Sequence, residues 1–113
     1  MQTPNYRCMP DLTPAGLKRR DQRLRRLYGI SLDTYHELYR LQGGVCAICS
    51  RPETLRIKGV LQPLSVEHSH VTKRVRGLAC NDCNTAIGKV KEDVRTLRRM
   101  IAYLQGRLTS DIN

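Results

Sequence analysis

The chain has 113 residues, with 20 Lys and Arg against 10 Asp and Glu, a net charge of +10, and no Phe or Trp. Without those core fillers a chain this short often needs a metal, disulfides or a partner subunit to stay folded. The charge favours a polyanionic partner. Apolar stretches no longer than Met100 to Leu104 exclude a membrane-spanning helix, and Met1-Gln2-Thr3-Pro4-Asn5 lacks the apolar core of a signal peptide. An intracellular protein with five cysteines is expected to use them on metal.

Residues 1–12 carry Pro4 and Pro10 without periodicity and read as a loose or docked arm, and Cys8 within it is given no role. Thr13-Pro14 is a helix start, with the hydroxyl as N-cap and proline at the first helical position, and Gly29 ends that helix after Tyr28. Leu17, Leu24, Leu27 and Tyr28 fall on one side at helical spacing. Lys18, Arg19, Arg23, Arg25 and Arg26 cover the other; six of the nine residues from Lys18 to Arg26 are basic and one is acidic. Positive charge so poorly balanced repels itself unless an anion is near, so this face is expected to meet phosphates rather than water alone.

Ser31 caps a second helix, with Ile30 and Tyr35 as a hydrophobic staple, a stripe of Leu32, Tyr35, Leu38 and Tyr39, and Gly43-Gly44 at its end. The Tyr and Leu residues read as core, and His36 as a surface residue. Residues 51–62 read as a loop or short irregular strand; Leu64–Glu67 and Val75–Ala79 read as two strands of a hairpin around a polar turn at Val71–Arg74. A short helix is expected from about Asp82 to Val90. Glu92 and Asp93 suit the start of a last helix, where acids meet the positive dipole end. Val94, Leu97, Ile101, Leu104 and Leu108 form a heptad seam, which packs either on the same chain or on a second copy.

Two tight pairs, Cys46-x-x-Cys49 and Cys80-x-x-Cys83, stand 30 residues apart. Each places two sulfurs on one turn, and together they can close a tetrahedron around Zn²⁺. A redox dithiol needs only one such pair. A site with four thiolates leaves no open position for water, so this zinc is structural. Between the pairs lies Val66-Glu67-His68-Ser69-His70. In an alternating strand Glu67 and His68 point to opposite faces, whereas His68 and His70 share one. Asn84 follows the last cysteine directly. A hairpin folded onto its helix can bring Glu67 and Asn84 together as oxygen ligands for Mg²⁺ or Mn²⁺, with a histidine beside them to accept a proton from water.

Cys46-x-x-Cys49, Val66-Glu67-His68-Ser69-His70, Arg76-Gly77-Leu78-Ala79-Cys80-x-x-Cys83-Asn84 and Gly88 together resemble the recombination endonuclease VII family, which belongs to the HNH or ββα-metal nucleases. The likeness covers roughly residues 27–108, and Arg-Gly-Leu-x-Cys-x-x-Cys-Asn is its most specific part. It implies a phage or phage-derived, Mg²⁺-dependent nuclease that acts on branched DNA as an intertwined homodimer. By this resemblance Glu67 is the metal-binding carboxylate, His68 the general base, His70 the residue that holds the scissile phosphate, and Asn84 a metal ligand. The chain departs from the family's pattern at Glu67, usually Asp, and at Ile87, where some members carry Glu.

The expected fold is mainly α with a small β-hairpin. It is a ββα-metal (His-Me finger) core stapled by a four-cysteine zinc site, flanked by N-terminal and C-terminal helices. Residues 1–12 form the arm and 13–113 one zinc-stapled nuclease domain. Within it, 13–44 are the helical DNA-binding and dimer part, 45–91 the ββα-metal core and 92–110 the C-terminal helix. DNA contacts are assigned to Lys18, Arg19, Arg23, Arg25 and Arg26, and to Lys73, Arg74 and Arg76 of the hairpin. The expected activity is hydrolysis of branched DNA such as Holliday junctions, inside the cell, in the host cytoplasm if a phage encodes the protein. Two alternatives stand beside it: a monomeric HNH nickase or homing-type nuclease on duplex DNA, and a non-catalytic, zinc-stabilised DNA-binding protein.

Overall fold

A computed structural model describes residues 13–107; the N-terminal arm, Cys8 and Leu108 lie outside the described residues. Within that span the elements are α1 (Pro14–Tyr28), α2 (Leu32–Leu41), β1 (Arg56–Ile57), β2 (Val60–Leu61), β3 (Ser65–His68), β4 (Val75–Ala79), α3 (Asn81–Lys89) and α4 (Val94–Leu104). The described residues thus form four helices and two small antiparallel strand pairs, β1–β2 and β3–β4.

Local chemistry sets the helix ends. The Thr13 hydroxyl accepts from the Gly16 amide at 3.1 Å, and Pro14 follows without needing a partner for an N–H it lacks. Gly29 closes α1 at φ 72°, donating its amide to the Arg25 carbonyl. Ser31 caps α2 by accepting from the Thr34 amide at 3.0 Å. Asp21, the single acid in the basic run, ties the two helices together. One of its carboxylate oxygens accepts from the Leu32 amide and the other from Arg25, each at 2.8 Å. The Leu32 amide, then Arg25, hold the Asp21 pKa below the usual carboxylate range.

The core gathers Leu24 from α1, Leu32 and Tyr35 from α2, Leu64 and Val66 from the β3 side, Leu78 and Ala79 from β4, and the sulfurs of Cys46 and Cys80. Tyr35 fills it without leaving a polar orphan, because its hydroxyl donates to the Leu64 carbonyl at 2.6 Å. Two expectations about this core are corrected. Leu27 was placed on one side of α1 with Leu17, Leu24 and Tyr28 but is 48 % exposed, because the face that packs turns on Gly16 and Leu24 instead. His36 was placed at the surface but is half-buried and lies edge-on to Tyr35, with centroids 6.2 Å apart; burial holds its pKa below the ordinary histidine value.

Gln42, just beyond α2, fixes β4 in place. Its amide nitrogen donates to the carbonyls of Val45 and Leu78, and its oxygen accepts from the Leu78 amide, all at 2.9 Å. The Ala47 amide adds a bond to the same Leu78 carbonyl at 3.0 Å, so the first cysteine turn is sewn directly to β4. This close approach requires Gly77, where an added Cβ would stand 3.0 Å from the Gln42 oxygen. Gly77→Ala is therefore expected to lower stability by about 1–3 kcal/mol through overpacking. Gln42→Ala, which strips partners from buried backbone groups, should cost a similar ~1–3 kcal/mol. Chemical denaturation of the metal-loaded protein measures both, and an unchanged midpoint for either variant would refute this account of the clamp.

Candidate active site and cysteine cluster

The four sulfurs of Cys46, Cys49, Cys80 and Cys83 lie within 4.8 Å of one another. The Cys49 and Cys80 sulfurs are 3.8 Å apart, matching the ~3.8 Å edge of a tetrahedron with Zn–S bonds of ~2.3 Å. Backbone amides already point at the sulfurs, Ile48 at Cys46 and Cys83 at Cys80, the second making Cys80 the N-cap of α3. The thiols are not equivalent. A hydrogen bond from Arg51 lowers the Cys49 pKa to about 6, whereas burial pushes Cys83 up to about 12. Cys49 is thus the thiol most inclined to its thiolate form, the form that binds metal. The donor set, sulfur spacing and amide bonds suit a structural metal such as zinc.

Glu53 completes the fastening. One of its oxygens accepts from the Thr54 and Leu55 amides, both at 3.0 Å, and the other from the Asn81 amide at 2.6 Å at the start of α3. Neither Glu53 nor Arg51 stands out in the sequence, since a lone charged residue in a loop carries no spacing signal.

Between the two cysteine turns, β3 pairs with β4 in the register Ser65↔Ala79, Val66↔Leu78 and Glu67↔Gly77, then His68↔Val75. Arg76 is the residue passed over, a bulge that re-aims its side chain across the hairpin. It lands on Glu67, which is buried, and donates to both of its carboxylate oxygens, Nε at 2.7 Å and Nη2 to the other. This fork, chiefly its hydrogen bonds to Glu67, raises the Arg76 pKa above the ordinary value. Arg76, assigned to DNA by the sequence, is thus engaged with the carboxylate assigned to metal.

His68 ends β3 and His70 lies in the turn beyond it, outside the strand alternation expected to pair them, and their rings stand 5.3 Å apart and nearly perpendicular. Tyr28, at the end of α1, stands 5.4 Å from His68 on another side, a neighbour the sequence did not indicate. Ser69 shapes the turn: its hydroxyl accepts from the Val71 and Thr72 amides at 3.2 and 3.1 Å. Asn84 is half-buried in the first turn of α3, beside Cys83, and α3 packs on β3.

Glu92 was expected to serve the dipole of the last helix, and that role is corrected. Asp93 is the N-cap of α4, whereas Glu92 turns back to the hairpin. One of its oxygens accepts from the His70 amide at 3.1 Å and lies 2.6 Å from His70 Nδ1; the other lies 3.3 Å from Arg76 Nη2. Burial pushes its carboxyl up, but the His70 amide and the Arg76 charge outweigh burial and leave its pKa below the usual glutamate value. Lys91 and Glu92 adopt φ of 58° and 57°, a left-handed pair that costs roughly 1–2 kcal/mol per residue.

The basic residues of α1 are exposed: Lys18, Arg19, Arg23, Arg25 and Arg26, with Arg25 bonded to Asp21. Lys73 and Arg74 are exposed at the tip of the β3–β4 hairpin. Between α1 and the 55–66 segment lies a cleft of about 620 Å³, lined by Arg19, Arg20 and Arg23 on one side and reaching Ser65 and Val66 of β3. Arg20, left out of the sequence assignment, stacks over the Tyr35 ring at 5.0 Å.

Comparison with known proteins places this arrangement. The model of the recombination endonuclease VII family matches residues 21–106, which include both cysteine turns, the hairpin and α4. The chain belongs to the recombination endonuclease VII family. It is also 39 % identical over 85 residues to the Gene 59 protein of Mycobacterium phage L5, and 40 % identical over 86 residues to that of Mycobacterium phage D29. Those matches cover 74 % and 75 % of this chain but 49 % of each relative, so the chain spans about half the length of these curated relatives. Among the described residues no helix is long and apolar enough to cross a membrane.

For this endonuclease VII family member, the purified protein is expected to carry one zinc per chain by elemental analysis. Chelation, or Cys46→Ser, should lower the thermal midpoint and the helical signal in circular dichroism, since a structural metal contributes directly to folding. Full helicity and an unshifted midpoint after complete metal removal would contradict a structural role.

Proposed function

We propose that this chain is a metal-dependent endonuclease that hydrolyses branched DNA, Holliday junctions among them, with His68 as general base. One observation carries the reading. The His68–His70 ring pair lies at the end of a strand that also holds a buried carboxylate, Glu67, and that strand packs on the helix carrying Asn84. In this reading residues 45–91 form a ββα-metal core, of the HNH type, within one domain formed by residues 13–113.

Glu67 and Asn84 supply hard oxygen donors, the set that suits Mg²⁺ or Mn²⁺, and Glu67 already holds a cation in the form of the Arg76 guanidinium. Such an ion, held by Glu67 and Asn84, would supply Lewis acidity toward the phosphate oxygens. The other roles belong to the chain itself. His68 takes a proton from the attacking water at a ring nitrogen, with Tyr28 and His70 confining the ring. His70 holds the scissile phosphate. Lys18, Arg19, Arg23, Arg25 and Arg26 on α1, with Lys73, Arg74 and Arg76 on the hairpin, bind flanking phosphates, and the arginine-lined cleft leads from α1 toward β3. Phosphate contacts carry no base information, which suits an enzyme that reads the shape of a junction.

Symmetric cuts in a four-way junction need two active sites, and the apolar face of α4, exposed among the described residues, supports a homodimer. No residue of α4 is buried, while Val94, Ile101 and Leu104 of its seam are exposed, Leu104 at 84 %. The proposed location is the cytoplasm of a bacterial host. One observation favours the non-catalytic reading instead: Arg76 already neutralises Glu67, as it would in a protein that never binds the second ion.

Incubating the protein and a four-way junction with Mg²⁺ or Mn²⁺, against EDTA, separates these readings. His68→Ala should lower the cleavage rate by about 10²–10⁴-fold while leaving junction affinity nearly unchanged. Wild-type rates in that variant would sink the assignment of the base. Ile101→Asp together with Leu104→Asp is expected to give a monomer by sedimentation velocity and to abolish paired cuts. A double variant that still sediments as a dimer would place the interface elsewhere.

A further inference from the structure

We propose that Glu92 is a positioning residue for His70, fixing the ring so that Nε2 is the nitrogen offered to substrate. The proposal rests on the nuclease reading above for its catalytic consequence, and on geometry alone for the contact itself. A single carboxylate oxygen receives two groups of the same residue, Nδ1 at 2.6 Å and the backbone amide at 3.1 Å. An ionised carboxylate only accepts, so a proton shared across that 2.6 Å contact belongs to His70 Nδ1, and the proposed tautomer is the one its partner favours. Two points of attachment fix both where the backbone of the turn lies and which way the ring faces.

The remaining oxygen of Glu92 faces Arg76 Nη2 at 3.3 Å, and Arg76 in turn forks onto Glu67. Glu92 therefore joins the residue assigned to the scissile phosphate to the carboxylate assigned to the ion. The side chain is 13 % exposed, against 66 % for His70, so the support is shielded while the ring it supports is open to substrate. The backbone shows the same bias. Glu92 follows Lys91 in the left-handed region, and the Glu92 amide donates to the Ile87 carbonyl at 2.9 Å, reversing the chain after α3 so that its side chain meets the hairpin. A connection needed only to join two helices has no reason to hold two non-glycine residues there. A carboxylate behind a functional imidazole is a general device for setting ring orientation and tautomer.

The test uses the zinc-loaded chain of 113 residues. Glu92→Ala should lower kcat for junction cleavage by about 10–100-fold with the junction KM nearly unchanged, and Glu92→Gln, whose oxygen can still accept from Nδ1, should recover much of the loss. The second readout needs no cleavage. In ¹⁵N-resolved NMR of the neutral His70 ring, the wild type and Glu92→Gln should show the Nδ1–H tautomer, and Glu92→Ala a mixture in which Nε2–H gains. An unchanged tautomer in a folded Glu92→Ala variant overturns the proposal, as does a loss of kcat that Glu92→Gln does not relieve. If the wild-type protein cuts no DNA, the nuclease reading fails, and the NMR arm still decides whether Glu92 sets the ring.

Discussion

The convergence of four cysteine sulfurs from two turns is the constraint on which the rest of the structure depends. The first turn is bonded to β4 through the Ala47 amide, and the second is the cap of α3, so the cluster fixes the hairpin and the following helix relative to each other. The core is small, and three of its nine buried apolar positions lie at or beside these turns: Cys46, Ala79 and Cys80. Ligation of a metal by these cysteines would make metal binding and hydrophobic burial one event. A chain without Phe or Trp gains from that arrangement, because a few short metal–sulfur bonds can order what a small apolar core cannot.

On that frame the charged groups of the hairpin form one continuous set: Glu67, Arg76, Glu92 and His70. Burying Glu67 without a cation would be costly, and the bulge at Arg76 supplies one. The same bulge gives the site its electrostatic character, since the guanidinium occupies the carboxylate most suited to hold a divalent ion. Arg76 thus couples two demands, stability of the empty hairpin and availability of Glu67, and the proposed chemistry requires the second to prevail when an ion and DNA are present.

Outside the core, two faces of the described residues are exposed. The basic face of α1 has a single acid, Asp21, and that acid is spent on fastening α2. The apolar face of α4 has no buried residue. Each calls for a complement of its own chemistry, phosphate for the first and apolar surface for the second.

The sequence by itself determined whatever rests on spacing along the chain. Thr13-Pro14 and Gly29 bounded α1, the Cys-x-x-Cys pairs announced the cysteine cluster, and closeness along the chain set His68 beside His70, because caps and turns act within a few residues. The tertiary structure alone decided what joins residues far apart. It brought Glu92 to His70 across 22 positions and Gln42 to Leu78 across 36, and it turned Leu27 outward. It also spent Arg76 on Glu67, which no count of basic residues could foresee. Contacts of that kind depend on where the chain folds back, and a sequence records that only through the packing it produces.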